Sequence, residues 1–275
     1  MDILRRYPIY PGFCFVLYTS YLLPVGLLLV VLQRSLLQAN CRIILTVWAI
    51  GMIGILTNEI YLMYVNMTLT DGEFISKTLQ EPAHRPAITI IHSIFYICMS
   101  ALELLLSLER VGATRAAESV LEPLSTFWYL IPYLAGWIVF AWYTASLAFI
   151  EFNMLVICIT FNTVDISSIV TNLVIYRYCK RRYVTMLGRS SLSERYQVTE
   201  KSSVIIYTYA SSVFLQFTAA VMTWIYAIYN DQVPYFLLEA VYQILHATNC
   251  AASSVILMYN HPRMQREALK ILRKW

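Results

Sequence analysis

Apolar residues run through this chain in blocks of about twenty or more, broken by short polar stretches. About twenty apolar residues carry a helix across a bilayer. The blocks fall at 12–32, 43–65, 87–108, 127–147, 155–176, 204–229 and 235–259, which predicts seven spans. Between 124 and 176 the only charges are Glu151 and Asp165, so the fourth and fifth spans are expected to meet in a tight turn at Glu151, Phe152 and Asn153. After Pro262 the pattern changes. Met264, Leu269, Ile271, Leu272 and Trp275 are mixed with Arg263, Arg266, Lys270, Arg273 and Lys274. That predicts a short amphipathic helix suited to an anionic membrane surface. The expected fold is therefore a single-domain, all-α membrane protein over 1–275, a seven-transmembrane helix bundle with an amphipathic C-terminal helix.

Composition agrees with this pattern. The 275 residues are 59% hydrophobic and only 13% charged, where a soluble domain carries roughly 25% charge. The first block follows Arg5 and Arg6 but is too long for a signal-peptide core and lacks a cleavage site, so it is expected to be a retained span. Cys14, Cys41, Cys98, Cys158, Cys179 and Cys250 form no CxxC pair, and none lies in a stretch that reads as an outer loop. No structural disulfide is expected, and the four scattered histidines give no metal spacing.

Charge orients the spans. Of the twenty Lys and Arg residues, Arg5, Arg6, Lys77 and Arg85 fall on one side of a seven-span arrangement and the remaining sixteen on the other. The positive-inside rule then puts the N-terminus outside and the C-terminus in the cytoplasm. Asn66, in the sequon Asn66-Met67-Thr68, falls just outside the second span and is a glycosylation candidate.

Within the spans, a charge facing lipid at the bilayer centre costs about 2.5–3.5 kcal/mol. Glu59, Glu103, Asp165 and Glu239 are expected to face the interior for that reason. Helical spacing agrees. His92, Tyr96, Ser100, Glu103, Ser107 and Arg110 form one stripe of span three; Asp165, Ser168 and Asn172 do so in span five; Glu239, Gln243, His246, Asn249 and Ser253 in span seven. Counting from the outer ends separates two groups. Glu59, His92, Tyr96, Glu239, Tyr242 and Gln243 lie near the outside, with Tyr61, Tyr64, Trp224, Tyr226 and Tyr235 at similar heights. These residues either form an acid-and-aromatic cavity suited to a small cation or polar odorant, or bond helix to helix within an interfacial aromatic belt. Glu103, Asp165 and His246 are deeper and are expected to form a conformational network.

The inner face offers a second site. Glu109-Arg110 ends the third block, where charges either snorkel to the headgroups or act as an acid–Arg latch. The loop 178–203 carries six basic residues against Glu194 and Glu200. Ser191 and Glu194 have capping-box spacing, so a helix is expected to start there and lengthen the inner end of span six.

Three segments carry a family resemblance. "LLSLERVGATRAAE" (105–118) resembles the ER-x-x-A-T that follows the third helix in nematode serpentine chemoreceptors. "SSLSERYQVTEK" (190–201) resembles the LS-x-RYQ-x-x-E-N before their sixth helix, with Lys201 where the family has Asn. "YNHPRM" (259–264) resembles the exit from their seventh. The closest likeness is to class epsilon and its Sra-type relatives. The resemblance implies a chemosensory G-protein-coupled receptor in the plasma or ciliary membrane of a sensory neuron. Its partner would be a heterotrimeric G-protein facing Arg181, Arg182, Arg195, Tyr196 and Gln197. The outer Cys pair and the kinking prolines of rhodopsin-type spans five to seven are absent, so rhodopsin's coupling cannot be copied residue for residue.

No catalytic constellation, phosphate loop or arginine ladder appears, so neither enzymatic activity nor a cofactor is expected. The alternative is a small transporter or channel in which the buried acids and His246 form an ion or proton path. The odd span count without paired helix breaks argues against it.

Overall fold

The computed structural model describes residues 9–34, 39–68, 84–115, 123–150 and 235–273, with scattered residues between 163 and 181 and residue 221. All regular structure among them is helical. The elements are α1 (Ile9–Arg34), α2 (Ala39–Thr68), α3 (His84–Arg115), α4 (Pro123–Ile150), α5 (Tyr235–Asn260) and α6 (Pro262–Leu272). The expected spans 12–32, 43–65, 87–108, 127–147 and 235–259 each lie within one of the first five. Residues 204–229 lie outside the described residues apart from Val221, and 155–176 is described only in fragments.

Among the described residues, two helices are long and apolar enough to cross a membrane. Tyr10–Arg34 has mean hydropathy 2.2 and Cys41–Tyr64 has 1.8. With 26 residues, α1 is about 39 Å long, more than the roughly 30 Å of hydrocarbon in a bilayer. Only 28% of its most apolar window is buried within the protein, so α1 is unlike the core helix of a water-soluble fold. Phe13, Val16 and Leu23 point outward from it, each more than half exposed. On α4, Trp128, Ile131, Val139, Trp142 and Tyr143 do the same. A band of this kind is expensive in water and stable in lipid. Among the described residues the chain is all-helical, with two helices of the length and apolarity that a membrane span requires. In α3 and α5 the apolar stretches are shorter, Ile90–Leu106 and Ile244–Tyr259.

Side-chain pairings fix the direction of each helix. Gly51, Gly54 and Glu59 of α2 lie against Met99, Phe95 and His92 of α3. One series rises as the other falls, so the two helices are antiparallel. Tyr133 of α4 donates its hydroxyl to the Ala101 carbonyl of α3 at 2.9 Å, and Ala141 packs with Tyr96 and Ile97, again antiparallel. Tyr96 of α3 meets His246 of α5, and Glu103 lies within electrostatic reach of Cys250. Those numbers rise together, so α3 and α5 run the same way.

One end of the bundle therefore holds the finish of α1, the start of α2, the finish of α3 and the finish of α5. Arg34, Arg42, Arg110 and Arg115 lie on the helices there, and α6 adds Arg263, Arg266 and Lys270, with Arg273 as its C-cap. The core is centred on α2, whose Leu45, Trp48, Met52, Ile55 and Leu56 are buried. A β-carbon on Gly54 would lie 2.5 Å from Phe95 Cε1, so the absence of a side chain lets α3 approach closely.

The terminal helix departs from expectation. Pro262 opens α6 at a position where no backbone N–H is needed. Met264, Ala268 and Ile271, one helical stripe, are buried, and the helix packs on α1 and α5. Met264 and Ile271, expected on the membrane-facing side, are drawn into the bundle. Leu269 and Leu272 stay exposed beside Arg266 and Arg273.

Candidate functional site

The polar stripes of α3 and α5 turn toward each other and toward α2. At their meeting point His92 Nδ1 lies 3.3 Å from Glu59 Oε1 and 3.4 Å from Asn58 Nδ2. The His246 ring stands edge-on to His92 with centroids 6.0 Å apart. Tyr96, one turn below His92, stacks with it at 6.4 Å and tilts onto His246 at 4.7 Å. Three helices thus contribute to one cluster. Glu59, Tyr96 and His246 are almost fully buried, whereas His92 keeps 22% of its side chain accessible. His92 is the side from which this group can be reached.

The two neighbours of Nδ1 make opposite demands. A protonated Nδ1 donates to the Glu59 carboxylate and cannot accept from the Asn58 amide. An unprotonated Nδ1 accepts from Asn58 Nδ2 and meets Glu59 favourably only when that carboxyl carries the proton. The site therefore has two hydrogen-bonding arrangements that differ in where one proton sits.

Further polar contacts tie α5 to the first two helices. Tyr21 OH and Thr248 Oγ1 are 3.1 Å apart, with Thr248 also donating to the Ile244 carbonyl at 2.6 Å. Ser254 donates to the Cys250 carbonyl at 2.9 Å and lies 3.8 Å from Met52 Sδ. Ser253 donates to Asn249 Oδ1 at 3.2 Å. All satisfy hydroxyls inside the bundle without opening a helix.

Of the residues that the sequence reading grouped near the outside, the structure brings Glu59, His92 and Tyr96 into one cluster. His246 joins them, although depth counting had placed it with Glu103 in a separate inner group. Glu103 is buried about two turns beyond Tyr96 and three beyond His92 along α3. Tyr61 and Tyr64 do not line this region: they point outward, about half exposed. Glu239, Tyr242 and Gln243 lie on α5, with side chains outside the described residues. The same holds for Glu109 and Arg110 at the end of α3 and for Asn66. Asn66 stands inside the last turn of α2, which continues to Thr68 rather than giving way to a loop at 65. Arg181 is exposed, and Asp165, Arg182, Arg195, Tyr196 and Gln197 lie outside the described residues.

Sequence reasoning missed Asn58 and the Tyr21–Thr248 pair. Asn58 was visible as a second polar residue beside Glu59 in an apolar run; Tyr21 carries no such signal, because an interior tyrosine reads as packing. Cys14, Cys41, Cys98 and Cys250 form no disulfide. Among the described residues no group of three His, Cys, Asp or Glu side chains has metal-holding geometry. Compared with known protein families and with curated proteins, the chain matches no family model and no protein.

Proposed function

We propose that the chain is a seven-helix chemosensory receptor of the nematode serpentine type, coupled to a heterotrimeric G-protein. One observation carries the reading: a buried acid, two imidazoles and a tyrosine from α2, α3 and α5 meet away from the basic end of the bundle. In this proposal the basic end faces the cytoplasm and the cluster faces outward. The direction of α5, parallel to α1 and α3, calls for an even number of crossings between α4 and α5. Two crossings between Ile150 and Tyr235 preserve that alternation.

The ligand is a small cation or polar odorant entering beside His92. A cation near Glu59 favours the ionised carboxylate, and with it the arrangement in which Nδ1 carries its own proton. That reorients contacts among α2, α3 and α5. The ligand shifts the resting equilibrium only by its differential affinity for the two arrangements. At the other end of α3 the shift loosens Glu109-Arg110 and exposes the 178–203 surface to the G-protein.

A second reading, a proton or ion path, draws on the same chain of Glu59, His92 and His246. Ligand-stimulated nucleotide exchange on a purified G-protein separates the two. A receptor accelerates exchange and carries no flux; flux in proteoliposomes without exchange would assign the chain to transport.

A further inference from the structure

Near the basic end, an open cavity of about 340 Å³ lies between α1 and α2, lined by Gln33, Arg42, Ile43, Thr46 and Val47. Its chemistry is divided. Gln33 and Arg42 supply hydrogen-bond donors at the helix ends, while Ile43 and Val47 make an apolar wall deeper in the span. Thr46 is not a free donor, since its hydroxyl is bonded to the Arg42 carbonyl at 2.7 Å. The wall continues onto Ile50, one turn further along the same face of α2 and 53% exposed. A cation at the membrane surface above an apolar strip matches an amphiphile with a negatively charged head.

We infer that this cavity seats an anionic phospholipid of the leaflet at the basic end. The phosphate takes the Arg42 guanidinium and the Gln33 amide, and one acyl chain runs along Ile43, Val47 and Ile50. Arg42 is half-buried, whereas Arg34 beside it is exposed to the headgroup layer. The half-buried position gives Arg42 a defined direction in which to hold a phosphate, where Arg34 contributes only a diffuse field. The inference needs α1 and α2 to be embedded in a bilayer and is independent of any signalling role.

The test uses the whole 275-residue chain, reconstituted in mixed phosphatidylcholine and phosphatidylserine, extracted in mild detergent and weighed by native mass spectrometry. Phosphatidylserine adducts should exceed phosphatidylcholine adducts in the parent. They should fall about fivefold in Arg42→Ala, the loss expected for one cation at a membrane surface. Val47→Trp fills the cavity and keeps the charge, and it should lower them similarly, so the decision survives if Arg42→Ala fails to fold. Arg266→Ala, on α6, should leave the adducts unchanged. Equal adducts of the two lipids in the parent would overturn the site. So would an equal loss from Arg266→Ala, which would reduce it to the general charge of that end. Displacement by inorganic phosphate, with adducts intact in Val47→Trp, would show a bare anion site and overturn the lipid assignment.

Discussion

Glu59 of α2 and His92 of α3 hold a carboxylate oxygen and an imidazole nitrogen 3.3 Å apart across a helix interface. The acid is buried and the imidazole is partly accessible. A buried hydrogen bond to a charged group contributes about 1.5–3 kcal/mol. Removing either side chain should therefore cost stability, and removing both should cost less than the two losses added. A double-mutant cycle with Glu59→Gln and His92→Ala, followed by thermal unfolding in detergent, measures this. Strict additivity would mean that the pair is not coupled. In a cell assay both single variants should also blunt the response to an agonist at normal surface expression.

The contact of Gly54 with Phe95 gives a prediction about packing alone. Gly54→Ala would drive a methyl group into the ring, and overpacking of that kind costs about 1–3 kcal/mol. The midpoint of thermal unfolding should fall, and Phe95→Leu should restore much of it in the double variant. Gly136, with open space where a β-carbon would go, is the control: Gly136→Ala should leave the midpoint unchanged or raise it slightly.

Docking of α6 predicts unequal effects along one short helix. Met264→Ala removes a fully buried side chain and should destabilise by about 2–5 kcal/mol. Leu272→Ala, at an exposed position, should change stability by less than about 0.5 kcal/mol. Limited proteolysis after Asn260 reads the difference directly: α6 should become cleavable in the first variant and remain protected in the second.

The proposed latch at the end of α3 assigns separate tasks to two charges. Glu109→Gln should raise ligand-independent exchange several-fold, the effect of losing an ion pair worth about 1 kcal/mol. Arg110→Ala should abolish coupling at unchanged surface levels. Output normalised to surface protein decides; if neither variant moves it, Glu109 and Arg110 only anchor the helix end. An N-terminal tag should stain on intact cells and a C-terminal tag only after permeabilisation, and the reverse pattern would invert the proposed topology.

The described helices were legible because an apolar run of bilayer length has few other solutions. Their ends were less so. α3 runs from His84 to Arg115, beyond the apolar 87–108, because a helix continues through polar residues at the headgroup level while its hydrogen bonds persist. The site was legible in part. Burying Glu59 demanded partners, and the α3 stripe named His92 and Tyr96. His246 was assigned to the wrong depth because counting from a span's end ignores packing register, which no single helix encodes. Tyr61 and Tyr64 sit at the right height but on the wrong side. At about 100° per residue they lie roughly 200° and 140° around α2 from Glu59. Rotation carried that information where depth did not.

The hydrogen bond between Tyr21 and Thr248 joins residues 227 positions apart. Hairpins such as α1–α2 and α3–α4 can close as each pair leaves the ribosome, but this contact waits for nearly the whole chain. Until α5 inserts, the Tyr21 hydroxyl lacks the Thr248 partner that it has in the finished fold. Assembly therefore has a late closing step, in which α5 packs onto α1 and α2 and α6 folds down over the seam of α1 and α5. Variants at Thr248 or Met264 should act on that step, leaving nascent chains that insert normally yet linger as substrates for quality control.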